Sequence, residues 1–476
     1  MKYRNLIQRS FLMAMVAMAA TACQEDVNIG GVQAPDVTGS DDQMLYVSDA
    51  NGSTGHSNLE FRDNATLDLY VNATAAAAAE ASVKFAYDPT VLEQYNSANG
   101  TEFEAVPESM VAFSNDGVAT LAAGEVKSAP VTMTLTSDGS LDNEATYAVP
   151  LRISAVDNRA NVASMSQTRI VFVKDHSALP DCFKTWTDAN GEVHPGVKIF
   201  SCMEVNDTNP LNNLRFTLKK SGKYMVDALV MFSGNINYNA ETGRVYFYAN
   251  PNVQHLLDNR EKYLKPLQDR GMKIIMGVMC NHDRACISNL AEPTAKLFAQ
   301  ELNALCDAYQ LDGIFWDDEY CSPIYPAPPG FVNRSNAAWS RLAYEYWKLN
   351  PTRWNVAYGY SMTYSAQEVD GVQPGTYITY CLPDYSSSYY DLSSNYPGMP
   401  REHMGGCSME FAQGRWYASE STLRNMRNDG FGAHMVFAMD PYRSTASGQE
   451  GAMGKLVRAF YEDEVVVDTT RYAKDW

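Results

Sequence analysis

The chain contains two successive patterns of hydrophobic and polar residues, and each predicts a different fold. In the first pattern, apolar residues recur at every second position, as at Leu67, Leu69 and Val71, and clusters of Asn, Asp and Gly separate these runs. Such alternation over short runs predicts strands with one buried face. We therefore expect a small all-β sandwich domain over residues 44–175, with one helical segment over about residues 88–99.

In the second pattern, over residues 195–476, apolar segments alternate with longer amphipathic ones. Residues 293–310 place Phe298, Leu302 and Leu305 on one stripe, the spacing of a helix that packs against a sheet. Eight apolar segments are strand candidates, at residues 198–206, 225–233, 273–281, 313–319, 355–362, 377–382, 404–411 and 433–439. Eight strands with intervening helices predict an α/β fold, a (β/α)8 TIM barrel, in which the chemistry lies at the carboxyl ends of the strands.

The amino-terminal sequence predicts export and a lipid anchor. A basic start is followed by a short apolar run and then by Cys23, which comes directly after small residues. This arrangement resembles a bacterial lipobox, so we expect removal of residues 1–22, acylation of Cys23 and a polar tether over residues 23–43. The anchored protein is then expected at the outer membrane, facing the cell surface. The alternative is an ordinary cleaved signal with a chance Cys, which also exports the protein.

Charge and cysteine content narrow the classes of ligand. The formal net charge is −19, which opposes binding to nucleic acid or to anionic lipid headgroups, whereas a neutral glycan suits such a surface. Nine cysteines are scattered without a CxxC pair or a Cys/His cluster at zinc spacing. We therefore expect buried free thiols, no metal ligands and no cofactor.

The fourth strand candidate carries the strongest chemical signal, because it ends in the acidic triplet Asp317-Asp318-Glu319. Side chains alternate across a strand, so Phe315, Asp317 and Glu319 share one face. If this face points into the barrel, a carboxyl beside another carboxylate favours its protonated form, and Glu319 can act as a general acid. The alternative is that the triplet is a solvated loop or a calcium site.

The motif Asp-Gly-x-x-x-Asp-x-Glu, from Asp312 to Glu319, resembles the signature of glycoside hydrolase family 18. Residues 225–238, 252–259, 277–289 and 311–320 further resemble the endo-β-N-acetylglucosaminidases of the H and F type. This resemblance implies cleavage between the two core N-acetylglucosamines of N-linked glycans, by a retaining reaction in which the substrate assists.

In that mechanism, the acetamido oxygen of the substrate attacks its own anomeric carbon while Glu319 protonates the leaving oxygen and later activates water. The resemblance gives Asp317 the role of holding the acetamido N–H and stabilising the developing positive charge. The reaction requires no metal and no cofactor.

Phe315 departs from the commonest family pattern, in which chitinases carry a further Asp at this position. Without that deeper carboxylate, we expect Asp317 to remain ionised and to act as a fixed charge. Two alternatives to the N-glycan hydrolase stay open at this point. One is a chitinase-like family 18 hydrolase, which Phe315 disfavours, and the other is a non-catalytic surface glycan-binding protein on the same barrel, against which the intact Asp317 and Glu319 argue.

Weaker candidates lie near the ends of other strands. By the resemblance, Tyr380 matches a catalytic sixth-strand Tyr that hydrogen-bonds the acetamido oxygen, although an aromatic strand residue is as often core. Asn281, at the end of the third strand, faces sugar hydroxyls or caps a helix. Asp440 and Tyr442 follow the eighth strand, where a subsite wall is expected, and Asp312 of the signature completes the substrate-binding set.

Aromatic side chains in two later segments are further candidates for stacking on sugar faces, or for ordinary packing. They lie in residues 385–396 and at the pair Trp416-Tyr417. Glycan branch preference depends on loops after the strands, which vary most. The sequence therefore leaves that preference open, together with the role of the sandwich and the oligomeric state.

Overall fold

The structure, a computed structural model, describes residues 44–156 and 160–476. The chain divides into two compact units, Met1–Asp175 and His176–Trp476. The predicted signal, the lipidation site Cys23 and the tether lie outside the described residues. Within the described part of the chain, no helix is both long and apolar enough to cross a membrane.

The first unit is a sandwich of two sheets around one apolar core, as predicted. Its first sheet has the strand order Asn161–Val162, Met44–Asp49, Asn64–Ala73, Val131–Thr136 and Val111–Phe113. Its second sheet has the order His56–Phe61, Thr168–Asp175, Tyr147–Ala155, Ala81–Tyr87 and Val118–Leu121, with Glu104–Ala105 beside Tyr147–Ala155. The predicted helix spans Pro89–Asn99, and the Asp88 carboxylate caps it by accepting from Thr90 N at 3.0 Å.

The second unit is built on eight parallel strands, and all eight predicted segments are confirmed. In spatial order the strands are Tyr380–Pro383, Trp354–Gly359, Gly313–Asp317, Lys273–Cys280, Ala228–Asn239, Lys198–Glu204, Ala433–Phe437 and Gly405–Glu410. Two parallel bridges, Cys381 to Met404 and Tyr385 to Ser408, join the first strand of this series to the last. The sheet is therefore a nearly closed barrel, as the predicted TIM fold requires.

The layer of helices around the barrel is less regular than an ideal (β/α)8 fold. The helices are Pro251–Asp258, Arg260–Tyr263, Lys265–Gln268, Glu292–Tyr309, Asn336–Leu349, Pro374–Tyr377, Glu420–Asn428 and Ala446–Tyr461. Within the described residues, the helical element between the first and second barrel strands is the 3₁₀ turn Pro210–Arg215, and the one between the sixth and seventh strands is the short Arg401–His403. That last segment is rich in Ser, Tyr, Pro and Gly, which do not sustain a helical stripe.

The remaining short elements are additional strands and 3₁₀ turns. They are the hairpin Thr185–Thr187 with Val193–Pro195, the pair Phe216–Leu218 with Val465–Val467, the strand Arg244–Tyr248 beside the second barrel strand, and the 3₁₀ turns Glu108–Met110, Ser114–Gly117, Ser164–Ser166 and Ser361–Tyr364.

Side chains of the fourth strand point alternately into the barrel interior and out toward the surrounding helices. Phe315 belongs to the interior cluster with Ile275 and Val356, whereas Trp316 packs between the barrel and its helices beside Leu302. The Trp316 indole also donates to Asn355 Oδ1 at 2.5 Å, which satisfies its buried N–H. Because Phe315 faces inward, the residues two and four positions later are directed to the mouth of the barrel, as the sequence predicts.

Candidate active site

A cleft of about 570 Å³ opens at the carboxyl ends of the barrel strands. Its walls come from residues at or just beyond the ends of different strands, including Glu204, Asn281, Glu319, Tyr385 and Glu410, and from Asn235 in the second half of the second strand. In parallel barrels this end is where the loops meet and where reactive groups gather. The cleft is therefore the candidate active site, and Asp317 forms part of its floor above Phe315.

Asp317 is the last residue of the fourth strand and pairs in register with Met279 of the third. Its side chain lines the cleft, yet the residue is only 2% exposed. Its Oδ1 atom is buried and has no hydrogen-bond partner among the described residues. A buried carboxyl oxygen without a donor is costly, so this atom is a natural acceptor for a donor supplied by a ligand.

Burial raises the pKa of Asp317 well above its usual range, and the nearby carboxyls of Glu319, Asp318 and Asp384 raise it further. This direction runs against the expectation that Asp317 remains ionised. The sequence argument considered only the carboxylate that Phe315 replaces, whereas burial and carboxyls from other segments decide the charge state.

Glu319 lies two residues beyond the end of the fourth strand and is partly exposed in the cleft. Partial burial raises its pKa, and the carboxyls of Asp384 and Asp318 add to the effect. The direction agrees with the expectation that Glu319 holds a proton that it can donate. Two carboxyl groups with raised pKa values thus share one wall of the cleft.

Asp318 points away from these two groups and is held in a buried polar network. Its Oδ1 accepts from Ser288 Oγ at 2.7 Å, and its Oδ2 accepts from Arg334 Nη2 at 2.5 Å and Met362 N at 3.3 Å. Because Asp318 is 1% exposed and paired with a guanidinium, the triplet is not a solvated loop. The carboxyl groups of Asp317 and Glu319 line the cleft, whereas that of Asp318 pairs with Arg334. The three groups therefore do not converge on a shared calcium ion.

Tyr380 does not reach the cleft, and its predicted catalytic position was wrong. The sixth strand begins at Tyr380 rather than three residues earlier, so this residue lies at the amino end of the barrel. There its ring packs at 4.8 Å from Trp354, 5.0 Å from His403 and 5.2 Å from Phe200, measured between centroids. The Tyr nearest the expected position is Tyr385, which follows the strand and lines the cleft.

Asp312 is also misplaced in the predicted substrate-binding set, because it precedes the fourth strand and lies at the opposite end from the cleft. Its carboxylate accepts from Lys273 Nζ at 2.8 Å, Ile274 N at 2.9 Å and Gln268 Nε2 at 3.1 Å. These bonds tie the amino ends of the third and fourth strands together. The Asp of the signature is therefore structural here.

Of the other predicted substrate-binding residues, Asn281 lines the cleft, where its Nδ2 donates to Asn237 Oδ1 at 3.3 Å. Asp440 and Tyr442 do not line it. Asp440 Oδ1 accepts from the Tyr442 backbone N–H at 2.9 Å, and the Tyr442 hydroxyl donates to the Arg471 carbonyl at 3.1 Å. Both residues thus stabilise the turn after the eighth strand, a local role that residue type alone did not reveal.

Several cleft groups were missed by the sequence interpretation. The Tyr358 hydroxyl donates to Asp384 Oδ1 at 2.5 Å, which fixes both groups beside Tyr385. Burial, with Asp207 nearby, raises the pKa of Glu204 to about 7, and Arg443 offsets this only in part. Tyr358, Asp384 and Glu204 lie in the second half of a barrel strand or just after one. The rule that reactive groups gather at the carboxyl ends of barrel strands could therefore have found them.

Comparison with known proteins gives similarity over each part of the chain. A family model described as an N-terminal domain matches residues 40–160. The chain is 52% identical over 288 residues to endo-β-N-acetylglucosaminidase F1 of Elizabethkingia meningoseptica. The aligned region covers 60% of this chain and 84% of that protein. It is 26% identical to the endo-β-N-acetylglucosaminidase of Flavobacterium sp. (strain SK1022), over 49% of this chain and 73% of that one.

Among solved structures, the chain resembles Bacteroides thetaiotamicron EndoBT-3987 determined with its Man5GlcNAc product. The identity is 32% and the TM-score 0.58, over 90% of this chain and 97% of that one. The same protein in complex with its Man9GlcNAc2Asn substrate gives 31% identity and the same TM-score and coverage.

The raised pKa of Asp317 predicts a pH-dependent difference in stability between the wild type and Asp317→Asn. The folded state binds this proton more tightly than the unfolded state, so the wild type loses stability as pH rises above about 4, the range of an unfolded Asp. The Asn variant lacks this loss, and each tenfold difference in proton affinity is worth about 1.4 kcal/mol.

Urea unfolding of both proteins at pH 4, 6 and 8 measures the difference. Asp317→Asn is expected to gain stability relative to the wild type as pH rises. A difference that is constant across this range would show that the carboxyl is not held with a raised pKa.

Proposed function

The chain belongs to the family of endo-β-N-acetylglucosaminidases, and on this premise we propose that it cleaves between the two core N-acetylglucosamines of high-mannose N-glycans, using Glu319 and Asp317. The observation that carries the catalytic assignment is the pair itself: two carboxyls with raised pKa values on one face at the mouth of the barrel. The preference for high-mannose chains is supported by EndoBT-3987, whose substrate complex contains Man9GlcNAc2Asn.

Asp317 acts on the acetamido group of the sugar in the cleavage subsite. Its unpartnered Oδ1 accepts the acetamido N–H, which satisfies a buried acceptor and turns the acetamido oxygen toward the anomeric carbon. Binding of this donor favours the ionised form of Asp317, whose proton passes to solvent. The carboxylate then stabilises the positive charge that develops on the ring formed by the acetamido group.

Glu319 supplies the proton. As the acetamido oxygen forms its bond to the anomeric carbon, the glycosidic bond breaks and its oxygen takes the Glu319 proton. The Glu319 carboxylate then removes a proton from water, which adds to the anomeric carbon and opens the oxazolinium ring. The acetamido group is regenerated, Glu319 is protonated again, and the configuration at the anomeric carbon is retained.

Tyr385 takes the role that the sequence interpretation gave to Tyr380, donating to the acetamido oxygen. It follows the sixth strand at the carboxyl end of the barrel and lines the cleft with Asp317. The neighbouring Tyr358 is less suited, because its hydroxyl already donates to Asp384. A phenol bound to the attacking oxygen restricts that oxygen to a reactive orientation.

Anchoring through acylated Cys23, at the outer membrane and facing outward, is also part of the proposal. It is supported by the basic start, the apolar run and the small residues before Cys23. An anchored enzyme with a polar tether would stand off the membrane and reach glycoproteins outside the cell.

Glu319→Gln is expected to lower the rate of glycan release by about 100- to 10,000-fold, because the amide cannot donate the catalytic proton. The assay uses one glycoprotein with high-mannose chains and one with complex chains, followed by mass analysis of glycan and protein. The wild type is expected to leave one N-acetylglucosamine at each high-mannose site.

Glu402→Gln is the matched control, since this Glu lies before the seventh strand at the other end of the barrel, and it is expected to keep wild-type activity. Wild-type turnover by Glu319→Gln would refute the assignment of the acid. Release of complex chains alone would refute the proposed glycan class.

Tyr385→Phe and Tyr380→Phe separate the two tyrosines with the same chemical change. Loss of a hydrogen bond to a group that carries developing charge costs about 1.5–3 kcal/mol, so Tyr385→Phe is expected to lower kcat/KM by about 10- to 150-fold. Tyr380→Phe is expected to stay within about twofold of the wild type, because its ring packs away from the cleft. The reverse ranking would restore the original assignment of Tyr380.

Cys23→Ala tests the anchor. In cells that produce the full chain, the wild type is expected to partition into the detergent phase of a Triton X-114 extraction, whereas Cys23→Ala enters the aqueous phase. Equal partitioning of the two proteins would contradict lipidation at Cys23.

A further inference from the structure

Three cysteines that are distant in sequence meet behind the segment that carries Glu319. Cys280 ends the third strand, Cys286 follows in the next loop, and Cys321 comes two residues after Glu319. Their sulfur atoms all lie within 4.8 Å of one another, and Cys321 Sγ is 3.1 Å from Cys280 Sγ. Sequence spacing gave no sign of this cluster, because the pairing of the third and fourth strands brings the two segments together.

A carboxylate oxygen lies next to two of these three sulfur atoms. Asp318 Oδ1 lies 3.3 Å from Cys321 Sγ and 3.9 Å from Cys280 Sγ. Around a tetrahedral zinc ion, sulfur ligands are about 3.8 Å apart and a sulfur lies about 3.5 Å from a carboxylate oxygen, from bond lengths of about 2.3 and 2.0 Å. The two Asp318 Oδ1 distances bracket the sulfur–oxygen value, and the sulfur separations, from 3.1 Å to no more than 4.8 Å, bracket the sulfur–sulfur value. Movement of the side chains toward a common centre would gather the four atoms around one ion.

The surroundings of the cluster are those of a structural metal site. Cys286 is fully buried and Cys280 is 1% exposed, whereas Cys321 is partly exposed, so two of the three thiols are shielded from bulk water. Ser288 Oγ donates to Asp318 Oδ1, the contact that orients a ligating carboxylate. Arg334 pairs with Asp318 Oδ2 and offsets part of the negative charge that three thiolates and a carboxylate would bring.

We propose that Cys280, Cys286, Cys321 and Asp318 bind a soft divalent cation, with Zn²⁺ as the ion that this donor set favours. The three thiols lose their protons to solvent on binding, and no electron transfer is involved. The ion joins residues 318–321 to the end of the third strand and so holds the Glu319 backbone in place. It does not reach the substrate, and the site does not depend on the proposed glycan specificity.

The test uses the full chain, kept reduced during purification, incubated with Zn²⁺ and desalted before metal analysis by mass spectrometry. About one zinc per chain is expected, as for a structural site with a full ligand set. Replacement by Co²⁺ is expected to give thiolate-to-cobalt charge-transfer absorption in the near ultraviolet and the visible bands of tetrahedral cobalt. Metal-free protein after loading, with no cobalt bands, overturns the proposal.

Cys286→Ser is expected to weaken zinc binding by at least about tenfold, in a competition titration with a chromogenic chelator. The matched control is Cys306→Ser, another fully buried thiol, whose hydrogen-bond partner is the Tyr346 hydroxyl, and it is expected to bind zinc like the wild type. Equal affinity of all three proteins, or a Cys280–Cys321 disulfide that persists in the loaded protein, overturns the proposal.

If Cys286→Ser does not fold, the cobalt spectrum of the wild type decides alone. Glycan release is measured separately, so failure of the metal site leaves the proposed catalytic function untouched, and loss of activity in Glu319→Gln says nothing against the metal.

Discussion

The site depends on one constraint, which is that Asp317 is buried beside other carboxyls with an oxygen that no described residue satisfies. Burial and the neighbouring carboxyls make a charge there unfavourable and raise the pKa of Asp317. Asp318 lies between Asp317 and Glu319 in the chain, but its pairing with Arg334 holds it on the other face. Of the three residues of the triplet, Asp317 and Glu319 are thus left to face the cleft, and in our proposal the donor that satisfies Asp317 comes from the substrate.

The barrel makes this arrangement possible because a strand fixes side-chain direction more tightly than a loop does. Phe315 fills the interior and Trp316 fills the helix-facing layer, so the strand is held from both sides up to Asp317. Glu319 lies just beyond this support. Its backbone is positioned by the buried network of Asp318 and, in our proposal, by the metal bound to the cysteine cluster.

The sequence was sufficient for the fold and for the placement of Asp317 and Glu319 at the mouth of the barrel, since alternation and strand number depend on local patterns. It failed for Tyr380, because a residue's position along a strand depends on where the strand begins, which hydrophobicity leaves uncertain by a few residues. Asp312 was assigned from the signature alone, although the predicted strand at residues 313–319 already placed it at the end opposite the cleft. The charge of Asp317 and the meeting of Cys280, Cys286 and Cys321 depend on segments far apart in the chain. Such features required the tertiary structure.

The central claim is that Asp317 acts on the acetamido group and that the substrate supplies the nucleophile. A crystal structure with an N-acetylglucosamine-thiazoline, a stable analogue of the ring intermediate, tests this most directly. The account predicts an Asp317 carboxylate oxygen about 3 Å from the ring nitrogen, a charge-assisted hydrogen bond, with Glu319 near the anomeric oxygen position. A ring nitrogen directed away from Asp317, or a carboxylate in contact with the anomeric carbon, would contradict it.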